Sequence, residues 1–489
     1  MRMLFFRAIR RQKRAPQEQP TQIFFTNTLS GNKELFIPLK PGTALLYSCG
    51  PTVYDRAHIG NLRAYIFSDT IARTLQYAQY RVHRVINITD VGHLVSDADE
   101  GEDKMTKGLR REGMALTLEN MHLLAERYAA TFFDDLEELG IDTGEIRFPR
   151  VSEYIPEQIA FIKTLEQKGY TYTTRDGVYF DTSRFPGYGK LGGLNLSNQR
   201  ESDRVGKYKE KRNSADFVLW KPDPKLGWES PWGRGFPGWH IECSTMARSL
   251  LGAELDIHTG GEDLIAVHHN NEIAQSEAAS GRPFARYWMH SAFLTMSGEK
   301  ASKSLGNVVY LSEVAEKGFH PLALRYFFLQ AHYRTPLSFS WDALAGAANA
   351  LDRLWRLSRD IARDSAGKSA NSEARKRFLI ALRDDLATPQ ALGILWDSLR
   401  SEEYAPEEKW GLLEDADAHL GLSLLSPPAA PTLTVSDAPE EIKEMLARRS
   451  AARASGDFAE ADRIRGEIEK GGYRVDDGPN GPVLTRAAL

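Results

Sequence analysis

Two cysteines occur in the 489 residues, and each stands in a short run of residues able to do chemistry. Cys49 opens "CGPTVYDRAHIGN", a run that closes on His58, Gly60 and Asn61. Cys243 lies in "GWHIECSTM", and 25 residues later comes "HHNNE", beginning at His268 and ending at Glu272. The spacing of four between His268 and Glu272 puts both side chains on one face of a helix. Thiolate, imidazole and carboxylate are all zinc ligands, so Cys49, Cys243, His268 and Glu272 are able to close a tetrahedral site. No CxxC spacing enforces that set, and His240, His258 and His269 are rival ligands. Lone cysteines are also common as small buried hydrophobes. On the residues alone the metal site stays open.

The run from Cys49 ends on a second chemistry. His58-Ile59-Gly60-Asn61 sits where a helical pattern begins, and a helix N-terminus offers unpaired N–H donors and a dipole that favour anions. Gly60 lets a ligand approach the backbone, while His58 and Asn61 are able to donate to phosphate oxygens. A plain N-terminal cap accounts for the same residues equally well. Downstream, "KASKS" from Lys300 to Ser304 carries two lysines and two hydroxyls on a glycine-flanked loop. Such a loop neutralises charge developing on a pyrophosphate and, by moving, closes over a nucleotide; read in isolation it is an exposed basic loop. Together the two motifs bracket one α/β region and point to nucleotidyl transfer from ATP. Neither a Walker A run nor a strand-linked GxGxxG occurs, which argues against P-loop and dinucleotide-binding readings.

The elements that must position these residues follow from periodicity. "ALLYS" (Ala44 to Ser48) reads as a buried strand that breaks at Gly50-Pro51. Leu62, Ile66, Phe67, Ile71 and Leu75 then recur at helical spacing, and "YRVHRVINITD" is β-rich. Strand, helix, strand in that order predicts a parallel βαβ unit with ligands beyond the strand ends. An irregular stretch, about 115–230, reads as a connective region inserted between two halves of the sheet. The α/β pattern resumes at "AELDIHTGGEDL", an alanine-rich helix and "YWMHSAFLTMSG". Beyond about Pro321 the pattern is helical and amphipathic. "SPPAAPTLTVSDAP" is a linker, and a small α+β unit ends the chain.

The expected organisation is therefore an arm over 1–22, a Rossmann-like parallel-sheet domain over 23–310, and an α-helical bundle over 311–425. A linker over 426–439 and a C-terminal α+β unit over 440–489 complete it. A net charge of −4 excludes a globally basic nucleic-acid binder, so an RNA partner must be held by local basic surfaces. Two cysteines exclude a disulfide framework and point to a reducing, cytoplasmic setting. No apolar run approaches a membrane span. The first 14 residues carry six basic residues and no acid, and read as a disordered tail or an upstream start. "SDADEGED" (Ser96 to Asp103) reads as a solvated acidic loop.

From about Ile23 to the C-terminus the sequence resembles the cysteinyl-tRNA synthetases, a family of class I aminoacyl-tRNA synthetases. "CGPTVYDRAHIGN" is similar to the family's first signature and "KASKSLGN" to its second. "FPGWHIECSTM", "DIHTGGEDLIAVHHNNEIAQSEAA" and "YWMHSAFLTMSGEK" resemble the stretches around its zinc, and "RNSADFVLWK" and "LALRYFFLQAHYRTPL" fit elsewhere. The resemblance implies one zinc per chain on Cys49, Cys243, His268 and Glu272, where the substrate thiolate also coordinates, with Trp239 near the side-chain pocket. It implies ATP with Mg²⁺ as substrate: Thr52, His58, Gly60 and Asn61 at the nucleotide, Lys300 and Lys303 at the pyrophosphate. Gly260, Gly261 and Asp263 then line the nucleotide and amino-acid sites.

The reaction so implied activates L-cysteine as an adenylate and passes it to tRNA-Cys, in a cytoplasmic monomer. Two positions depart from the pattern. Asn61 stands where the first signature usually has a second histidine, and Ala301 where the second usually has methionine. A cysteine ligase acting on an amino-sugar would share the ATP, zinc and cysteine sites, but the chain continues some 165 residues past Arg325. That length fits tRNA binding, with basic clusters at Arg375 to Arg377 and at Arg448, Arg449 and Arg453. The remaining alternative is a non-catalytic RNA-binding paralogue, against which the four apparent ligands and both loop lysines argue.

Overall fold

The computed structural model describes residues 22–91, 104–193, 211–296, 299–300, 308–428, 432–433, 438–471, 473–478 and 481–486. The basic arm up to residue 21, the acidic loop 96–103, Ala301, Lys303 and part of the linker lie outside the described residues.

A hairpin of β1 (Phe24–Asn27) and β2 (Asn32–Leu35) precedes β3 (Thr43–Ser48), on which Ala44, Leu46 and Tyr47 are buried. α1 (Ile59–Tyr77) carries the chain back to β4 (Arg81–Ile86), which pairs in parallel with β3. This is the expected βαβ unit. α2 (Lys104–Arg111) and α3 (Leu118–Glu138) lead to β5 (Ile146–Arg147), a short parallel neighbour of β4. α4 (Ile155–Gln167) then precedes an antiparallel sheet of β6 (Thr171–Thr173), β7 (Val178–Phe180), β8 (Phe217–Pro222) and β9 (Gly235–Pro237).

α5 (Trp239–Leu250), β10 (Leu255–Gly261), α6 (His268–Ser280) and β11 (Ala285–Ser291) complete the parallel sheet. Its strand order is β11-β10-β3-β4-β5. The chain winds outward in one direction from β3 and in the other from β10, so the crevice between those two strands is the switch point at which such sheets bind ligands. Cys49 follows β3 and Gly260-Gly261 ends β10, both at that point.

β12 (Leu294–Met296) pairs with β13 (Glu299–Lys300) and with β14 (Leu337–Phe339). The helical region comprises α7 (Leu311–Glu316), α8 (Pro321–Leu329), α9 (Trp341–Asp364), α10 (Glu373–Arg383), α11 (Thr388–Arg400) and α12 (Pro406–Leu420). On α9 the buried residues Leu344, Ala347, Leu351, Leu354, Ser358 and Ile361 recur every three or four positions, the stripe that packs it into the bundle. α13 (Glu440–Ala454) and α14 (Phe458–Lys470) pack on β16 (Tyr473–Gly478) and β17 (Gly481–Arg486), with β15 (Thr432–Leu433) at the edge. This last unit has its own small core around Ile442, Ile464 and Leu484.

Sheet and bundle are joined by buried charge. Asp69 of α1 pairs with Arg73 at 2.6 Å, Arg84 at 3.0 Å and Arg325 of α8 at 2.7 Å. Burial alone would raise the Asp69 carboxyl, but the three guanidiniums outweigh it and hold it far below the usual carboxylate range. Arg325 also donates to Leu139 O at the end of α3 and to Leu420 O at the end of α12. One side chain thus fixes α1 against both helical regions. Among the described residues no helix is long and apolar enough to cross a membrane.

Candidate active site

Cys49 emerges directly from β3, its N–H bonded to Thr259 O of β10 at 3.2 Å. Gly50 is required next: a Cβ there would lie 1.5 Å from Asn87 O. The same Asn87 accepts from Gly50 N at 2.8 Å, and its Oδ1 faces Cys243 Sγ at 3.6 Å. Cys243 is buried on α5, with its Sγ within 4.8 Å of that of Cys49. His268 and Glu272 share a face of α6, with His268 Nε2 3.8 Å from Glu272 Oε1. The donor atoms of Cys49, Cys243, His268 and Glu272 all lie within 4.8 Å of one another. Cys49, His258, His269 and Glu272 meet the same distance, so the rivals His258 and His269 stand at the site as well.

The histidines are ordered by their second nitrogens. His240 and His268 share a hydrogen bond between their Nδ1 atoms at 2.9 Å, which leaves His268 Nε2 as the nitrogen toward Glu272. His269 Nε2 lies 3.3 Å from Cys49 Sγ, and its Nδ1 is bonded to His290 Nε2 at 2.7 Å. His290 Nδ1 in turn meets Thr28 Oγ1 at 2.8 Å. His258 Nε2 faces both oxygens of Glu272, bonding Oε1 at 3.2 Å and lying 3.1 Å from Oε2. Burial pushes His240, His268 and His290 down to about 3, so all three are neutral imidazoles. Burial, then the neighbouring Cys243 thiol and Glu272, push the Cys49 thiol up.

Glu272 is fully buried, and its ion-pair partners among the described residues are histidines alone. A carboxylate buried beside two thiols and imidazoles is stabilised by a cation among them. The convergence of sulfur, nitrogen and oxygen donors within 4.8 Å fits a divalent metal such as zinc. Trp239 opens α5 half-buried, its ring 4.5 Å from that of His268 and 4.8 Å from that of His240.

At the other end of the same turn, His58 caps α1. Its Nδ1 accepts from Asn61 N at 3.2 Å, and Asn61 Oδ1 accepts from His58 N at 3.3 Å. The capping reading is thus realised, and it does not exclude a ligand. Thr52 bridges to Thr89, and Ile59 N donates to Val309 O at 2.9 Å, close behind the lysine loop in sequence. A Cβ on Gly260 would meet His269 Cε1 at 2.9 Å, and one on Gly261 would meet Asp263 Oδ1 at 2.4 Å. Both glycines let the turn carrying Asp263 fold over the end of β10. Asp263 itself is exposed and acts on the Cys49 thiol electrostatically. Lys300 ends β13 opposite Thr295.

Sequence reasoning missed Arg63. It lies on the inner face of α1, buried, and donates to Ala292 O at 2.8 Å, Phe293 O at 2.7 Å and Thr335 O at 2.6 Å. Phe293 N donates to Glu262 Oε1 at 2.7 Å. A guanidinium between Leu62 and Ile66 on an apolar face was the available signal. The basic clusters need correction. Arg375 is buried and bidentate on Asp415 at 2.8 Å, and Arg449 is buried, so neither faces an RNA.

Residues 35–349 match the family described as tRNA synthetases class I (C) catalytic domain, and residues 435–481 match the Cysteinyl-tRNA ligase anticodon binding domain. The chain is 46% identical over 471 residues to cysteine–tRNA ligase 1 of Burkholderia lata, covering 95% of this chain and 97% of that one. Against the cysteine–tRNA ligase of Chlorobium chlorochromatii the identity is 41%, covering 94% and 98%. In fold it is similar to Mycobacterium tuberculosis methionyl-tRNA synthetase in complex with methionyl-adenylate. That match has a TM-score of 0.52 at 17% identity, over 79% of this chain and 92% of the other.

Proposed function

This chain belongs to the cysteinyl-tRNA synthetase family, and we propose how its residues divide the reaction between them. The reaction is that of a cysteine–tRNA ligase. The carboxylate of L-cysteine attacks the α-phosphorus of ATP, pyrophosphate leaves, and the terminal ribose of tRNA-Cys takes the cysteinyl group from the adenylate.

Cys49, Cys243, His268 and Glu272 hold one zinc ion, whose affinity for thiolate sulfur selects L-cysteine over L-serine where an apolar pocket could not. Trp239 walls the cysteine pocket on the His268 side. His58 and Asn61 donate to ATP phosphates at the N-terminus of α1, with Thr52 and Gly60 beside them. Gly260, Gly261 and Asp263 line the nucleotide and amino-acid sites. Lys300 and Lys303 neutralise the departing pyrophosphate, which Mg²⁺ accompanies. The bundle and the C-terminal unit hold the tRNA of a monomeric, cytoplasmic enzyme.

One observation carries this reading. The four donor groups converge within 4.8 Å at the same switch point from which α1 presents its N-terminus. That convergence supports a reading in which the amino-acid thiol and the ATP phosphates share one crevice, as in-line attack requires. The C-terminal match to an anticodon-binding domain disfavours an amino-sugar acceptor. The test is pyrophosphate exchange dependent on cysteine and ATP. Exchange with cysteine and none with serine supports the assignment; a folded, zinc-loaded protein without exchange defeats it. Exchange without charging of tRNA-Cys would restore the amino-sugar alternative.

A further inference from the structure

Between α8, α9 and α11 lies an open groove of ≈560 Å³. Ligand sites commonly span roughly 300–1,000 Å³. Arg353 of α9 and Arg400 of α11 both line it and are exposed, and neither has an ion-pair partner among the described residues. Trp396 stands beside them. The Arg400 guanidinium lies 4.7 Å from its ring centroid, and its indole N–H donates to Tyr326 Oη at 2.8 Å, which pins the ring.

Two helix-interior glycines, Gly346 of α9 and Gly393 of α11, also line the groove, and a Cβ at either would meet no atom within 4 Å. Glycine inside a helix is destabilising relative to alanine. Neither glycine is needed for any part of this chain to come close, and the space each leaves clear belongs to the groove.

We propose that this groove holds the sugar–phosphate backbone of tRNA, with phosphate oxygens taken by Arg353 and Arg400. The inference rests on the tRNA-ligase reading above and adds a specific contact site to it. Guanidinium forks suit phosphate oxygens bidentately, and unpaired they gain the most from an anion. Trp396 holds Arg400 in place and offers a flat face to a ribose or base edge. The cleared glycine positions admit the polymer backbone. Both guanidiniums are exposed, which suits a polymer bringing several phosphates at once, whereas a free nucleotide is normally held by enclosure.

The experiment compares the zinc-loaded full chain with its Arg353→Gln/Arg400→Gln double variant, binding an unmodified tRNA-Cys transcript over a series of salt concentrations. Affinity should fall at least tenfold at low salt. The slope of log K against log[salt] should lose about 1.5, because each released phosphate contact contributes about 0.7–0.9. An Arg353→Lys/Arg400→Lys variant should regain the slope but only part of the affinity. Melting temperature and zinc content report that the variants are folded. Unchanged affinity and slope in the glutamine variant overturn the groove. Failure of the wild-type chain to charge tRNA-Cys defeats the ligase reading instead, and is scored separately from binding.

Discussion

Asn61 Oδ1 accepts a hydrogen bond from the backbone N–H of His58 at 3.3 Å, while His58 Nδ1 accepts one from the backbone N–H of Asn61 at 3.2 Å. A backbone N–H only donates, so Nδ1 is unprotonated and the neutral His58 ring carries its proton on Nε2. Both acceptors are spent on the helix end, and the protons that remain are on Nε2 of His58 and Nδ2 of Asn61. Capping and anion binding are therefore one arrangement: the cap fixes the tautomer that a phosphate needs.

Substitution of Asn61 separates the two roles. Asn61→Asp keeps the capping oxygen but replaces two amide donors with a negative charge beside the ATP phosphates. The KM for ATP in pyrophosphate exchange should rise tenfold or more with the melting temperature unchanged. Asn61→Ala loses the cap as well and should cost roughly 1 kcal/mol, seen as faster amide exchange in the first turn of α1. Asn61→His should leave zinc binding intact and alter the ATP step. An aspartate variant with wild-type KM would show that Asn61 caps the helix and nothing more.

Zinc content discriminates between the two overlapping ligand sets. Cys49 and Glu272 belong to both, so the informative changes are at the other four residues. Cys243→Ala and His268→Gln should lose most of the single zinc, whereas His258→Gln and His269→Gln should keep it. With cobalt substituted at saturating metal, the thiolate charge-transfer band per bound ion should fall by about half in Cys243→Ala as one of two thiolates is lost. The opposite pattern would assign the metal to His258 and His269.

What was legible in the sequence follows from what is local. The βαβ unit showed through its periodicity, and His268 and Glu272 through a spacing of four on one helix. The choice between ligand sets did not, because it depends on β10 lying beside β3 and bringing His258 close to Glu272. Arg63 was hidden for the same reason: its three carbonyl partners stand 229 to 272 residues further along the chain. Arg375 misled because a cluster of cations in sequence gives no sign of Asp415, forty residues away and buried against it.

The bundle should weaken as the pH falls toward 4. His419 of α12 is buried, and burial pushes it down to about 4 although its ring donates to Asp415 O at 2.7 Å. An unfolded histidine titrates near 6.5, so between pH 6.5 and 4 the unfolded chain binds a proton that the folded chain refuses. Stability from this group is complete above pH 6.5 and is lost on acidification, by roughly 2 kcal/mol at pH 5. Urea midpoints measured from pH 7.5 to 5 should fall less steeply in His419→Gln than in the wild type. Parallel slopes would show that His419 titrates normally in the folded chain.

Arg63 should prove a positioning residue for the adenylation step. It sits two residues beyond Asn61, and its guanidinium ties α1 to the carbonyls of Ala292 and Phe293, immediately before β12, and to Thr335, just ahead of β14. β12 is the strand that β13 and Lys300 pair with, so Arg63 sets the distance between the two phosphate-handling segments. A lysine keeps the charge, but its three donors radiate from one nitrogen and cannot reproduce a guanidinium spread across carbonyls of two segments. Arg63→Lys should lower kcat for cysteine-dependent exchange by roughly 10- to 100-fold, as displacements of about 1 Å do. The KM for cysteine and the zinc content should stay near wild type, since the metal donors come from the end of β3, from α5 and from α6. A lower melting temperature with an unchanged kcat per zinc-loaded chain would mean that Arg63 only holds the fold.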